Sequence, residues 1–166
     1  MDIRERAARI KLLVVDVDGV MTDGRIIYDN YGDEFKAFDV QDGYGLMLWW
    51  RAGLKSAIVT AKKSRIVLRR AKTCHITRVF MDAKDKGAVY EKLLRIFKLT
   101  DEEICFIGDD LIDMPIMKRA GLAVAVPYSR PEVKAVAHYT TSAGSGRGAI
   151  RELIELILKT QNKWPE

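Results

Sequence analysis

Asp16-Val17-Asp18-Gly19 sets two carboxylates two residues apart, directly behind the apolar run Leu12-Leu13-Val14-Val15. Carboxylates this close repel each other unless a cation or a shared proton holds them. Gly19 lets the chain turn away at once. On its own this pattern is more often a strand-end turn with solvated aspartates, but three further signals stand in matching places. Thr60 follows Ala57-Ile58-Val59 and offers a hydroxyl that can donate to a phosphoryl oxygen or simply cap a helix. Lys86 opens a helix-like segment, where a cation opposes the helix dipole and makes sense beside a fixed anion. Gly108-Asp109-Asp110-Leu111-Ile112-Asp113 puts three acids straight after Ile104-Cys105-Phe106-Ile107, more than a helix cap requires. Asp109 next to Asp16 would build a hard oxygen site suited to Mg²⁺. A nucleophilic carboxylate, a metal, a hydroxyl and a cation are together the parts of a phosphoryl-transfer site.

Such a site needs elements that deliver these residues to one place. The apolar runs named above, with Arg78-Val79-Phe80 and Leu122-Ala123-Val124-Ala125-Val126, read as buried strands. Between them, segments 43–51, 64–73, 86–97, 112–120 and 147–158 have helical apolar spacing. Alternating strands and helices predict an α/β fold with a mostly parallel sheet and helices on both faces. In such sheets reactive groups collect at the carboxyl ends of the strands, which is where all four signals stand. Residues 25–38 break the alternation and read as a β-hairpin around Asp29-Asn30-Tyr31-Gly32-Asp33. The 166 residues suit one domain with a hairpin insertion and leave no length for a cap domain.

Composition narrows the class. The chain is 48% hydrophobic and 31% charged, with a formal net charge of +5. Its basic residues are dispersed, with no arm that reads as nucleic-acid binding. The Leu12 to Val17 stretch, broken by Asp16, is too short for a signal sequence or membrane span. Cys74 and Cys105 form no C-x-x-C pair, so the expected setting is the reducing cytoplasm. Two rival readings have similar architecture. A receiver domain would place its phosphorylated aspartate after Arg78-Val79-Phe80, at Asp82. A catalytically silent oligomerisation module would have no need for Asp16 and Asp18 together.

Asp16-x-Asp18, Thr60, Lys86 and Gly108-Asp109-Asp110-x-x-Asp113 resemble the haloacid dehalogenase (HAD) phosphatase superfamily, over nearly the whole chain. Longer strings are similar to its 3-deoxy-D-manno-octulosonate 8-phosphate (KDO 8-phosphate) phosphatase family: 16–24, Lys36-Ala37-Phe38, Asp42-Gly43-Tyr44-Gly45, 108–113 and 146–152. The resemblance implies a HAD-like Rossmannoid three-layer fold and a hydrolase serving lipopolysaccharide precursor synthesis. It implies that Asp16 attacks phosphorus and that Asp18 is acid, then base. Mg²⁺ would be held by Asp16, the Asp18 backbone carbonyl and Asp109. Thr60 and Lys86 would hold the phosphoryl oxygens, while Asp110 and Asp113 orient Lys86 or metal-bound water. Asp18, Lys86, Asp39, Val40, Gln41, Asp42, Gly43, Lys62 and Arg70 would contact the sugar acid, and Arg147 would reach a site from the glycine-rich segment 143–148. The family usually has Thr-Gly-Arg where this chain has Thr60-Ala61-Lys62. Lysine keeps the charge and loses the bidentate fork. A branch acting on KDN 9-phosphate carries an acid there, so the cation favours the octulosonate. The resemblance also implies a homotetramer associating through hairpins, here through Ile26, Ile27, Phe35 and Phe38.

Overall fold

In the computed structural model, which describes residues 1–165, every residue of β1 (Leu12–Val15) is buried. Its side chains alternate as a strand's must. Leu13 and Val15 join one apolar core, and Leu12 and Val14 join another on the opposite face. A short hairpin follows, β2 (Ile27–Tyr28) against β3 (Glu34–Phe35), and stays outside the main sheet. Then come β4 (Lys55–Val59), β5 (Arg78–Phe80), β6 (Ile104–Gly108), β7 (Leu122–Ala125) and β8 (Tyr139–Thr140). With β1 they form one six-stranded sheet in the order β5-β4-β1-β6-β7-β8, parallel at every pairing.

Helices cover both faces. α1 (Ile3–Arg9), α2 (Val40–Arg51), α3 (Arg65–Thr73) and α7 (Ala149–Thr160) contribute to the core that holds Leu13 and Val15. α4 (Lys86–Phe97), α5 (Met114–Met117) and α6 (Pro131–Val136) contribute to the core that holds Leu12 and Val14. The α7 stripe attaches that helix firmly: Ile150, Leu153, Ile154, Ile157 and Leu158 are fully buried, and each such burial is worth about 1.5–3 kcal/mol.

Element boundaries depart from the sequence reading for local reasons. α4 spans 86–97 as expected, because Asp85 caps its start and Lys98 ends it in a left-handed conformation. α2 begins at Val40 because the Asp39 side chain accepts from the amides of Gln41 and Asp42. The expected 112–120 helix shrinks to α5, because the Asp110 and Asp113 capping box first winds a tight turn over Leu111–Asp113. α7 starts at Ala149 rather than 147, since Gly148 precedes it with φ 97°. The hairpin strands have two residues each, far less than 25–38. α6 and β8 were not expected at all; at six and two residues they are too short to show a period.

The chain leaves β1 for β4 and β5 on one side, then crosses to β6 on the other. This reversal opens a crevice at the carboxyl ends of β1 and β6, the usual ligand position in open α/β sheets.

Candidate active site

Asp16 is the first residue beyond β1, and its amide donates to the Ile107 carbonyl of β6 at 3.1 Å. Asp109 is the first residue beyond β6. Lys86 comes from the first turn of α4, 1% exposed. Its Nζ donates to Asp16 Oδ1 at 2.8 Å and to Asp113 Oδ1 at 2.6 Å. Asp113 is fully buried, and its Oδ2 accepts from the amides of Asp109 and Asp110 at 3.0 and 3.3 Å. Asp113 therefore spends both oxygens on the protein and orients Lys86. Asp110 caps the turn after β6, accepting from Leu111 N at 2.7 Å, and also borders the cavity.

The acids outnumber the cation. Burial, and then the neighbouring Asp113, push Asp16 up to about 6 although Lys86 pulls the other way. Burial raises Asp109 to about 7, reinforced by Asp16, Asp113 and Asp110. Carboxylate oxygens of Asp16, Asp109 and Asp113 lie within 4.8 Å of one another. Hard oxygen donors short of positive charge fit a divalent cation such as Mg²⁺. Since Asp113 is already engaged, Asp16 and Asp109 are the side chains able to hold it. Gly19 makes the space: its φ is +89°, and a Cβ there would collide with the Asp109 carboxylate.

Asp18 has different neighbours. Its Oδ1 accepts from Lys36 Nζ at 2.5 Å, and Lys62 Nζ stands 3.9 Å from its Oδ2. Lys36 also donates to Glu34 at 2.9 Å. Burial alone would lower the Lys36 ammonium, but the bonds to Asp18 and Glu34 outweigh it and raise it. The sequence reading cited Lys36 only within a matching string and assigned it no role. The available signal was the Glu34-Phe35-Lys36 alternation, which sets both charges on one face of a strand.

Asp16, Asp18, Thr60, Ala61, Lys62, Lys86, Asp109, Asp110 and Ile112 line a cavity of about 170 Å³. Thr60 is 3% exposed; its Oγ1 accepts from Lys62 N at 3.4 Å, leaving its own hydrogen for a ligand. Larger hollows lie elsewhere, one of about 510 Å³ bordered by Arg9, Lys11, Thr100, Glu102 and Glu103. That one lacks the buried acid–lysine cluster, so size does not locate the chemistry here.

The remaining expected substrate residues do not border this cavity. Asp39 caps α2, Val40 is 81% exposed and Gln41 is exposed. Asp42 is buried, and its carboxylate accepts from Arg151 N at 2.8 Å and Gly148 N at 3.4 Å. α7 has no side-chain cap of its own, so Asp42 of α2 supplies one. Burial, with the Asp39 charge adding to it, pushes Asp42 up to about 6 against those backbone donors. Arg70 donates to the Asp39 carbonyl at 2.6 Å, lies over the Phe38 ring and closes on Gly43. It borders a second hollow of about 210 Å³ shared with Lys36, Phe38, Ile66, Arg69 and Thr73. Arg147 is exposed; the Arg25 side chain and amide hold Asp23 below the usual carboxylate range, and the Arg147 charge adds a little to that. Beside it Gly146 donates to the Val20 carbonyl at 2.9 Å, and a Cβ there would strike the Thr22–Asp23 backbone.

A curated relative from Yersinia pestis, 3-deoxy-D-manno-octulosonate 8-phosphate phosphatase KdsC, is 44% identical over 98% of this chain and 87% of its own length. The same-named protein of Escherichia coli K12 is 39% identical over 99% of this chain and 88% of its own. The crystal structure of the Moraxella catarrhalis phosphatase, in complex with magnesium ion, phosphate ion and KDO, superposes with a TM-score of 0.94. It is 41% identical and covers 96% of this chain and 92% of its own. A family profile described as haloacid dehalogenase-like hydrolase matches residues 57–153, which include Thr60, Lys86 and Asp109. The relatives extend the likeness back through Asp16 and Asp18, and the chain belongs to the haloacid dehalogenase-like hydrolases.

Proposed function

We propose that this protein is a Mg²⁺-dependent phosphatase that hydrolyses KDO 8-phosphate to KDO and phosphate. Asp16 and Asp18 border the same cavity yet have separate partners, and this observation carries the reading. Asp16 lies with Asp109 and Lys86 in the buried cluster, as a nucleophile that shares a cation would. Asp18 stands at the rim, where a leaving group would depart.

Asp16 attacks phosphorus and forms an aspartyl-phosphate while Asp18 gives a proton to the departing sugar oxygen. Asp18 then takes a proton from the water that hydrolyses the intermediate, as microscopic reversibility requires. Lys86 and the Thr60 hydroxyl hold phosphoryl oxygens, and Asp113 keeps Lys86 aimed. Asp16, Asp109 and the Asp18 carbonyl would hold Mg²⁺, which would supply positive charge against the carboxylates and a phosphate dianion. Lys62, at the rim of the cavity, is a cation where a KDN 9-phosphate enzyme would carry an acid, which favours the octulosonate. The Asp39–Gly43 segment, Arg70 and Arg147 then serve the sugar acid from beyond the phosphate cavity. A receiver domain is disfavoured because Asp82 is exposed, pairs with Lys63 and does not border the acidic cavity.

At about 170 Å³ the cavity is smaller than the roughly 300–1,000 Å³ of most ligand sites. A second copy of the chain closing over it supplies the missing wall. Ile26, Ile27, Tyr28, Tyr31 and Phe35 are all exposed on and around the hairpin, an apolar surface suited to a homotetramer. Phe38 packs against the core instead. Free, buried Cys74 and Cys105 support a cytoplasmic location. The whole chain acts as one catalytic domain.

The test is phosphate release from a panel of sugar phosphates with Mg²⁺ or with chelator. KDO 8-phosphate should lead, and Asp16→Asn should release none. Full turnover in that variant, or in chelator, would sink the mechanism.

A further inference from the structure

The Lys36 side chain is 1% exposed, and a lysine this enclosed needs its charge answered. It is answered twice, by Asp18 Oδ1 at 2.5 Å and by Glu34 Oε1 at 2.9 Å. The hairpin arranges this. Glu34 and Lys36 are two residues apart and share a face, while Phe35 between them is 54% exposed. An ammonium donates hydrogens and accepts none, so Asp18 Oδ1 always acts as an acceptor. Asp18 Oδ2 lies 3.9 Å from Lys62 Nζ, too far for a hydrogen bond.

We infer that Lys36, anchored by Glu34, is a positioning residue that commits Asp18 to acid and base work through Oδ2 alone. The inference rests on the acid/base role proposed above for Asp18. The proton leaves Oδ2 for the ester oxygen as the P–O bond breaks, and that oxygen keeps the bonding electron pair. Oδ2 later accepts a proton from the water whose oxygen bonds to phosphorus, releasing Asp16. Placement of this kind matters because a displacement of about 1 Å can cost about a hundredfold in rate. Lys86 fixes the nucleophile from the start of α4, and Lys36 fixes its partner from the hairpin.

Leaving-group dependence tests this. A sugar alkoxide must be protonated as it departs, whereas p-nitrophenolate departs without a proton. Lys36→Met keeps the chain length and removes the donor. Its kcat/KM on KDO 8-phosphate should fall by about a hundredfold or more, the scale of general acid catalysis, with a much smaller loss on p-nitrophenyl phosphate. Lys36→Arg should recover part of the loss on the sugar phosphate. Glu34→Gln, at the more exposed end of the pair, should show the same selective loss to a lesser degree and tests the idea should Lys36→Met not fold. Equal losses on both substrates, or none on either, would overturn the inference while leaving the phosphatase reading intact. An unaltered chain that releases phosphate from neither substrate would overturn both.

Discussion

Lys86 sits between two buried carboxylates that would otherwise face each other. Burying its charge costs several kcal/mol, which two charge-assisted hydrogen bonds at about 1.5–3 kcal/mol each can offset. Removing it strands Asp16 and Asp113. Lys86→Met should therefore lose about 3–5 kcal/mol in chelator, read by urea unfolding, with part of the loss recovered in Mg²⁺. Equal loss with and without Mg²⁺ would show that the acids do not share a metal. The two late acids should also separate. Asp113→Asn frees Lys86 and should lower kcat strongly, whereas Asp110→Ala loosens a helix cap at a cost of about 1 kcal/mol. Steady-state kinetics and thermal melts on the pair distinguish the two effects.

Among the elements, α2 and α7 are tied by the Asp42 carboxylate at the α7 amides. Asp42→Ala leaves buried N–H groups unmatched and should cost about 1–3 kcal/mol, seen as a lower melting temperature. An unchanged melt would mean that the apolar stripe alone seats α7. The same carboxylate shows where the sequence stopped informing. Asp16, Thr60, Lys86 and Asp109 were legible because each directly follows a buried strand or opens a helix, and Asp18 because it stands two residues after Asp16, so order along the chain already put them at one end of the sheet. Asp42 was expected beside the substrate, and its second task, capping α7, shows only in the folded chain, where α7 begins at Ala149 with no side-chain cap of its own. Lys36 is enclosed only after a four-residue pairing of β2 with β3 folds back over Asp18, which no local pattern announces. The long helices α4 and α7 were readable from periodicity, whereas α6 and β8 depend on packing beside β7.

For the molecule as a whole, Asp16 and Asp42 at about 6 and Asp109 at about 7 share a direction. Each binds its proton more tightly folded than unfolded, where a carboxylate titrates near 4. Through these three groups the folded state holds more protons between about pH 4 and pH 7, and their contribution to stability falls as pH rises through that window, outweighing the opposite contribution of His138, which burial lowers. For Asp42 alone the change is on the order of 3 kcal/mol. In chelator the melting temperature should decline from pH 5 to pH 7.5. Mg²⁺ should flatten the decline by taking the place of protons on Asp16 and Asp109. A metal-free melting temperature that climbs with pH would contradict this account. One consequence concerns how the protein is made. The turn after β1 rests on Gly146 through the Val20 carbonyl, and α2, which follows the hairpin, rests on α7. A ribosome that has just completed β8 has already joined every residue of the acidic cavity, Asp16 through Ile112. It has not yet delivered what those residues lean on. The nascent chain should therefore be chemically complete yet idle, and phosphate release from stalled chains should begin only once residues 146–160 leave the exit tunnel.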